Sequence, residues 1–155
     1  MNENGEDVFD KRLLSMVPGA VKFIVADVAL QWVALACNIA LFVVIGHNWP
    51  VFYHFQGGKG VACSTAVVLL IHFWCGLPSI LLCVLVIALT RYISLGSMTM
   101  LLTYMVLIWI VCFGQWALCI FATLLFIMCV YRHRANIQRL LNGTENKIGR
   151  RVQPQ

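Results

Sequence analysis

The chain has 155 residues, of which 61% are hydrophobic and 11% are charged, and its formal net charge is +5. Soluble domains carry about 25% charged residues, so this composition excludes an ordinary water-soluble domain. Residues 23–131 contain three charged side chains, Asp27, Lys59 and Arg91, and each charge at a bilayer centre costs roughly 2.5 to 3.5 kcal/mol. The sequence therefore predicts an all-α polytopic membrane protein that is embedded in the lipid bilayer.

The N-terminal segment is polar and differs from a secretory signal peptide. It lacks the basic first region and the small-residue cleavage site of such a peptide, so we expect no processing. The distribution of charge predicts three parts: a polar N-terminal segment over residues 1–22, a transmembrane helical domain over residues 23–131, and a cytoplasmic juxtamembrane helix with a tail over residues 132–155.

Five apolar runs predict about five transmembrane helices. They are Phe23–Ile45, Val61–Cys75, Pro78–Leu89, Met98–Phe113 and Trp116–Tyr131. A straight span needs about 20 apolar residues, and only the first run reaches that length. The other runs must therefore draw flanking residues into their helices. The uncharged connections at 76–78 and 114–115 are predicted turns.

Basic residues lie at alternate connections. Lys59 precedes the second run, Arg91 follows the third, and six Lys and Arg residues follow the fifth. By the positive-inside rule these connections and the C-terminal tail face the cytoplasm. If the first run is a single span, Lys11, Arg12 and Lys22 lie on the outer side, against the same rule. A re-entrant hairpin, or a span missing from the chain, would remove this conflict, and the sequence leaves both open.

Two partner classes are not expected. The basic residues lie at the ends of apolar segments and form no amphipathic soluble surface, so we expect no nucleic-acid partner. The cysteines are scattered singly, without a CxxC pair or a Cys/His spacing typical of zinc. They are Cys37, Cys63, Cys75, Cys83, Cys112, Cys119 and Cys129. We interpret them as small buried hydrophobic residues and predict no metal site.

The first polar cluster surrounds a lysine. Gly57, Gly58, Lys59 and Gly60 directly precede the second apolar run. Glycines let successive backbone N–H groups turn toward one anion, and the N-terminus of a helix favours the same charge. This pattern indicates phosphate binding. The alternative is a flexible turn with Lys59 as an anchor at the membrane edge.

The second cluster, residues 90–97, combines an arginine with small hydroxyl residues. Arg91 offers a bidentate contact to phosphate, and Ser94 and Ser97 offer hydroxyl donors. The alternative is an Arg91 side chain that extends to the membrane surface beside Tyr92.

The third cluster, residues 132–145, is predicted to be helical. Helical spacing places His133 and Asn136 on one face, with Arg132, Asn136 and Arg139 as a neighbouring polar stripe, and Gly143 is a candidate C-cap. The alternative is an amphipathic helix that binds anionic lipid. Three clusters able to bind phosphate on one membrane face favour a substrate that is amphipathic and phosphorylated.

Three ordered motifs resemble those of the bacterial acyl-phosphate:glycerol-3-phosphate acyltransferases, a membrane-integral family whose members have seven spans. The first motif contains Pro50-Val51-Phe52 and Gly57-Gly58-Lys59-Gly60, the second runs from Thr90 to Ser97, and the third runs from His133 to Glu145. The N-terminal part departs from the family pattern. Its first motif is degenerate or truncated, with an echo in Asn2-Glu3-Asn4-Gly5 and Arg12.

The resemblance implies transfer of a fatty acyl group from acyl phosphate to the 1-hydroxyl of glycerol 3-phosphate, which gives lysophosphatidic acid. It implies no cofactor and no metal, a location in the cell inner membrane, and a homo-oligomer or a helper chain as a further partner. The catalytic residues it implies are His133, Asn136 and Lys59. The residues it implies for substrate or phosphate binding are Gly57, Gly58, Lys59, Gly60, Arg91, Ser94, Ser97, Arg139 and Glu145.

Other functions stay open at this point. The chain is an active acyltransferase, an inactive homologue that binds phospholipid precursors, or a small membrane transporter or scaffold. In the first case the proton acceptor is either His133, whose ordinary pKa is near 6.5, or the substrate's own phosphate.

Overall fold

The computed structural model describes residues 8–149, and these residues form six α-helices with short connections. The helices are α1 (Val8–Asn48), α2 (Val61–Ile71), α3 (Phe73–Thr90), α4 (Ile93–Val111), α5 (Trp116–Arg132) and α6 (Arg134–Leu141). One 3-10 turn, Val51–Tyr53, lies between α1 and α2. The described residues contain no strand, so the predicted all-α class is confirmed. The motif echo predicted at Asn2–Gly5 lies outside the described residues.

The chain divides into two compact units, Met1–Leu35 and Ala36–Gln155. In the first unit, Gln31 Nε2 donates a hydrogen bond of 2.7 Å to the carboxylate of Asp27, one helical turn earlier. In the second unit, α3 packs against α2 and α4, and α4 packs against α5. The second unit also contains all three motifs that the sequence indicated.

The core of the second unit follows helical periodicity along α4. Met100, Tyr104 and Ile108 recur every four residues and are buried, as expected for one face of an α-helix. The outward faces of α3 and α4 are apolar as well: Trp74 in α3 is 79% exposed, and Ile110 in α4 is 70% exposed. Apolar side chains on an outward face suit a helix that is surrounded by lipid.

Among the described residues, fewer helices are long and apolar enough to cross a membrane than the five or so spans that the apolar runs predicted. By length and composition, three described helices can cross a membrane: Pro18–Asn48, Phe73–Thr90 and Ile93–Val111. A fourth is counted if α5 and α6, which meet at a 60° bend, form one broken span. Helix α2 is apolar but has only 11 residues. The apolar segment of α5 ends at Arg132, so we place His133 and α6 outside the membrane-spanning part of the chain.

The turn predicted at 76–78 is wrong, because the chain breaks earlier, at His72. There the φ and ψ angles are −149° and 88°, and the His72 ring Nδ1 accepts a hydrogen bond of 3.2 Å from the Cys75 N–H. This contact caps the first turn of α3, where the Cys75 N–H has no carbonyl four residues earlier in the helix and also donates to the His72 carbonyl at 3.2 Å. Gly76 and Pro78 therefore lie inside α3.

Helix α4 begins five residues before the apolar run that predicted it. The polar residues that seemed to separate two spans lie in its first turns, where Ser97 Oγ donates a 2.9 Å hydrogen bond to the Ile93 carbonyl. A hydroxyl that bonds the carbonyl one turn earlier is tolerated within an apolar helix. The predicted start at Met98 is thus corrected to Ile93.

Candidate active site

A cavity of about 280 Å³ opens in the second unit, where the N-terminal ends of α2 and α4 meet the connection between α5 and α6. Its lining residues are Lys59, Val61, Ile93, Ser94, Ser97, His133, Asn136, Arg139, Glu145 and Asn146. Residues from all three motifs are therefore adjacent in space, although they are far apart in sequence. The lining includes every predicted site residue except the three glycines and Arg91.

The three glycines are explained by packing against the end of α1. Gly58 N–H donates a hydrogen bond of 3.2 Å to the carbonyl of His47, and a Cβ at position 57 would overlap that same carbonyl. Gly60 has a φ of +69°, and a Cβ there would lie 2.6 Å from Asn48 Oδ1. The close approach and the left-handed backbone both require glycine.

The predicted contact between the glycines and phosphate stays a prediction. Gly57, Gly58 and Gly60 are not among the residues that line the cavity, and the Gly58 N–H is bonded to His47. Lys59 and the start of α2, for which Gly60 is the N-cap, bring positive charge to the cavity. The first N–H groups of a helix lack intrahelical partners and carry a partial positive charge.

His133 is held in one orientation by the last turn of α5. The side chain is 1% exposed, and Nδ1 lies 2.8 Å from the carbonyl oxygen of Cys129. Because a carbonyl only accepts, Nδ1 carries the proton and Nε2 keeps its lone pair as an acceptor. Burial lowers the pKa of His133, and the nearby cations Lys59 and Arg132 lower it further. The imidazole is therefore neutral at pH 7.

Glu145 connects three parts of the site. Its Oε1 accepts hydrogen bonds from Ser94 Oγ at 2.8 Å and Asn136 Nδ2 at 2.6 Å, and its Oε2 accepts from Arg139 Nε at 2.8 Å. Burial alone would raise the pKa of this carboxyl, but the hydrogen bonds from Asn136, Arg139 and Ser94 lower it to about 2. Glu145 is therefore ionised and fully engaged with protein donors.

The Glu145 contact fixes the amide of Asn136. Because Asn136 Nδ2 donates to the carboxylate, the other amide atom, Oδ1, must be an acceptor. Oδ1 is buried and has no hydrogen-bond partner among the residues that the structure describes. A buried acceptor without a partner is uncommon in proteins, and it is available to a hydroxyl donor of a ligand.

Arg91 does not reach the cavity. It is exposed, and it adopts the left-handed conformation (φ +63°) that ends α3. Its backbone matters instead: the Arg91 carbonyl accepts a 2.9 Å hydrogen bond from the Ile148 N–H. Close by, the Lys147 ammonium lies 5.2 Å from the centre of the Tyr92 ring. These contacts hold the segment after α6 against the connection between α3 and α4.

Two polar residues near the site were not predicted from the sequence, and a third, Arg132, was predicted in a different role. Asn146 lines the cavity, Asn48 is buried beneath Gly60, and Arg132 binds the glycine loop rather than forming a stripe with Asn136 and Arg139. The signal for Arg132 was its place directly before a candidate catalytic histidine. Asn48 carried a weaker signal, a polar residue at the end of a long apolar helix.

The described residues contain no group of three or more His, Cys, Asp or Glu side chains that could hold a metal ion. The side chains that line the cavity supply the Lys59 ammonium, the Arg139 guanidinium, a neutral imidazole, an amide acceptor and a carboxylate that holds its neighbours.

Known proteins are similar to this chain over most of its length. The family described as glycerol-3-phosphate acyltransferase matches residues 12–143. A glycerol-3-phosphate acyltransferase of Thermoanaerobacter sp. (strain X514) is 44% identical over 120 residues, which cover 77% of this chain and 59% of that protein. One from Clostridioides difficile (strain 630) is 36% identical over 144 residues, which cover 88% of this chain and 68% of that protein.

Two solved structures are similar to the chain. Both are crystal structures of PlsY, an integral membrane glycerol 3-phosphate acyltransferase, one in a glycerol 3-phosphate form and one in a lysophosphatidic acid form. Each is 35% identical with a TM-score of 0.65 over 68% of this chain, and the match covers 52% and 54% of those chains.

The share of the chain that matches known proteins shows which family it belongs to. The chain spans about 59% of the length of the first curated relatives that it matches. The integral membrane character of the solved relatives agrees with its apolar helices, so the predicted multi-pass membrane protein is confirmed. The resemblance that the three motifs indicated is confirmed too, and the chain belongs to the glycerol-3-phosphate acyltransferase family.

Proposed function

We propose that this chain transfers a fatty acyl group from acyl phosphate to the 1-hydroxyl of glycerol 3-phosphate, with lysophosphatidic acid and phosphate as products. The observation that carries the proposal is the pairing of Lys59 with a neutral His133 in one cavity. A cation beside an oriented acceptor suits a substrate that has both an anionic group and a hydroxyl to be deprotonated. The cavity volume of about 280 Å³ is near the lower end of ligand pockets, roughly 300 Å³.

The proposed reaction needs orientation more than a protein nucleophile. The 1-hydroxyl oxygen attacks the acyl carbonyl carbon, an ester C–O bond forms, and the bond between that carbon and the phosphate oxygen breaks. Phosphate leaves with the electron pair. Acyl phosphate is a mixed anhydride with a good leaving group, so positioning and charge stabilisation suffice to accelerate this step.

The proton of the attacking hydroxyl has two candidate acceptors. His133 Nε2 has the correct protonation state, because Nδ1 donates to the Cys129 carbonyl. The departing phosphate is the alternative, and a proton transferred within the substrate needs no protein base. The Asn136 Oδ1 atom, which lacks a partner among the described residues, is proposed to accept from the same hydroxyl or its neighbour.

The other proposed site residues act through charge and support. Lys59 and the N-terminus of α2 are proposed to bind phosphate, and Arg139 adds positive charge at the rim, where 44% of its side chain is exposed. Ser94 and Ser97 contribute small polar surface to the wall. Glu145 repels phosphate by its charge, so its proposed role is to hold Ser94, Asn136 and Arg139 in place.

We further propose that the site lies on the cytoplasmic side of the cell inner membrane. The basic residues near the cavity support this orientation by the positive-inside rule. The homo-oligomer or helper chain that the sequence suggested remains a prediction, and light scattering of the purified protein–detergent complex tests it.

Phosphate release from acyl phosphate by the detergent-purified protein tests the proposal, with and without glycerol 3-phosphate. Lys59→Ala and His133→Ala are the test variants. Lys22→Ala is the matched control, since Lys22 is exposed in α1 and belongs to the other unit. We expect release that depends on glycerol 3-phosphate, a loss of at least tenfold in Lys59→Ala, and wild-type rates in the control.

A folded wild-type protein that releases no phosphate above background contradicts the proposal and favours the inactive homologue. Equal losses in Lys59→Ala and Lys22→Ala would contradict the role of the cavity.

A further inference from the structure

Arg132 holds the loop that carries Lys59, although it does not line the cavity. Its guanidinium donates to two consecutive carbonyl oxygens. Nη2 lies 2.6 Å from the Gly57 oxygen and 2.7 Å from the Gly58 oxygen, and Nε lies 3.1 Å from the Gly58 oxygen. Hydrogen bonds from a charged donor are stronger than neutral ones, so the last residue of α5 fixes the glycine loop.

An aromatic contact fixes the plane of the same guanidinium. The Arg132 Cζ lies 5.3 Å from the centre of the Trp49 ring, and Trp49 lies 6.1 Å from the ring of Tyr131. A guanidinium is attracted to the face of an aromatic ring. Trp49 begins the connection between α1 and α2, and Gly58 lies two residues before its end, so Arg132 joins the two ends of that connection.

The loop is held from its other side by α1. Gly58 N–H donates to the His47 carbonyl at 3.2 Å, while the carbonyl of Gly58 accepts from Arg132. In a trans peptide the carbonyl and the following N–H point in opposite directions, and the described residues contain no cis peptide bond. Fixing the Gly58 carbonyl therefore fixes the peptide that begins Lys59.

We propose that Arg132 is a positioning residue that orients Lys59 toward the cavity. It acts on the phosphate-bearing substrate through the backbone of Lys59 and not by its own contact. The inference rests on the proposed function only for the identity of that substrate. Its structural part, a loop held by Arg132, is testable without any catalytic turnover.

The chain offers a matched control two residues away. Arg134 is exposed, its Cζ lies 4.7 Å from the Tyr131 ring, and its hydrogen bond goes to the Tyr131 carbonyl at 3.4 Å. Arg134→Ala also removes one positive charge beside the Trp49–Tyr131 pair. It leaves the bonds between Arg132 and the glycine loop intact.

Hydrogen exchange of the full chain in detergent, read by mass spectrometry over residues 57–60, tests the structural part. Loss of two charged hydrogen-bonding contacts predicts exchange roughly 10- to 100-fold faster in Arg132→Ala, and no more than twofold faster in Arg134→Ala. Arg132→Lys gives an intermediate rate, because one ammonium cannot reproduce the planar fork of a guanidinium. If Arg132→Ala fails to fold, Arg132→Lys against Arg134→Ala decides the question.

Equal exchange in Arg132→Ala and Arg134→Ala overturns the inference, whatever the enzyme does. For the catalytic part, we expect the KM of a phosphate-bearing substrate to rise roughly tenfold in Arg132→Ala, with a smaller change in kcat. A fall in kcat with both KM values unchanged overturns it. A wild-type protein without activity contradicts the proposed function, while the exchange result still judges Arg132.

Discussion

Replacing Glu145 by alanine should release the segment after α6. The carboxylate accepts buried hydrogen bonds from Ser94 and Asn136 at 2.8 and 2.6 Å, and each bond to a charged group contributes roughly 1.5 kcal/mol or more. The ion pair with Arg139, whose side chain is 44% exposed, adds at most about 0.5 kcal/mol. The free energy that keeps this segment closed should therefore fall by about 3 kcal/mol in Glu145→Ala.

Glu145→Gln is the informative partner of that variant. The glutamine carbonyl can occupy the position of Oε1 and still accept from Ser94 and Asn136. The amide group then faces the Arg139 guanidinium, and that contact is lost. We expect a loss of about 1 kcal/mol, because neutral hydrogen bonds replace charged ones.

Hydrogen exchange over residues 142–149 measures the opening of this segment. Its reporters are the Thr144 N–H, bonded to the Arg139 carbonyl at 2.8 Å, and the Ile148 N–H, bonded to the Arg91 carbonyl at 2.9 Å. A difference of 1.4 kcal/mol is a factor of ten, so exchange should be on the order of 100-fold faster in Glu145→Ala and roughly fivefold faster in Glu145→Gln.

The pH dependence follows from the lowered pKa of Glu145. The pKa falls from 4.5 to about 2 in the folded protein, so the stabilisation is complete above 4.5 and is lost as the pH falls toward 2. Exchange corrected for its intrinsic rate should accelerate in that window in the wild type and stay flat in Glu145→Gln. The reasoning is refuted if both variants exchange like the wild type, or if the wild type shows no acid acceleration.

Three further predictions concern single side chains. Gly60→Ala should lower the midpoint of thermal unfolding by about 5 °C, because the φ of +69° at this position disfavours a Cβ. Gly19→Ala is the control: a Cβ there meets open space, so the midpoint should stay unchanged or rise. The rate should stay at its plateau down to a pH below 6.5, because burial lowers the pKa of His133. If His133 is the proton acceptor, the fall in rate at low pH disappears in His133→Gln. If that fall persists in the variant, the substrate phosphate accepts the proton. Ser97→Ala should change KM less than about threefold, since its hydroxyl bonds its own helix, and Ser94→Ala, which breaks the bond to Glu145, should change it more.

The convergence of the motifs was predictable because the positive-inside rule predicts all three clusters at the same membrane face. Charge placement alone put Lys59 and the segment after α5 on one side, and the structure brings Lys59, His133 and Asn136 to one cavity. The end of α6 was predictable to within one residue: its C-cap is Asn142, and the predicted cap, Gly143, follows with a φ of +69°.

Hydropathy could not predict how buried polar groups are satisfied. Ser97 is 1% exposed and bonds the Ile93 carbonyl, so the helix continues where a polar run suggested a break. His72 ends α2 because its ring caps α3, which no apolar pattern encodes. Glycine composition alone also could not predict that Gly57, Gly58 and Gly60 pack closely on His47 and Asn48.

The 60° bend between α5 and α6 lies at the cavity, where an apolar helix is followed by a polar one. Helix α5 is apolar up to its last residue, Arg132, whereas α6 begins at Arg134 and carries Arg139, which lines the cavity. For the proposed reaction, one reactant dissolves in oil and the other in water, and neither is soluble in the other's medium. An enzyme at this boundary works as a phase-transfer catalyst: each reactant arrives from its own phase, and the product departs into the membrane that it builds.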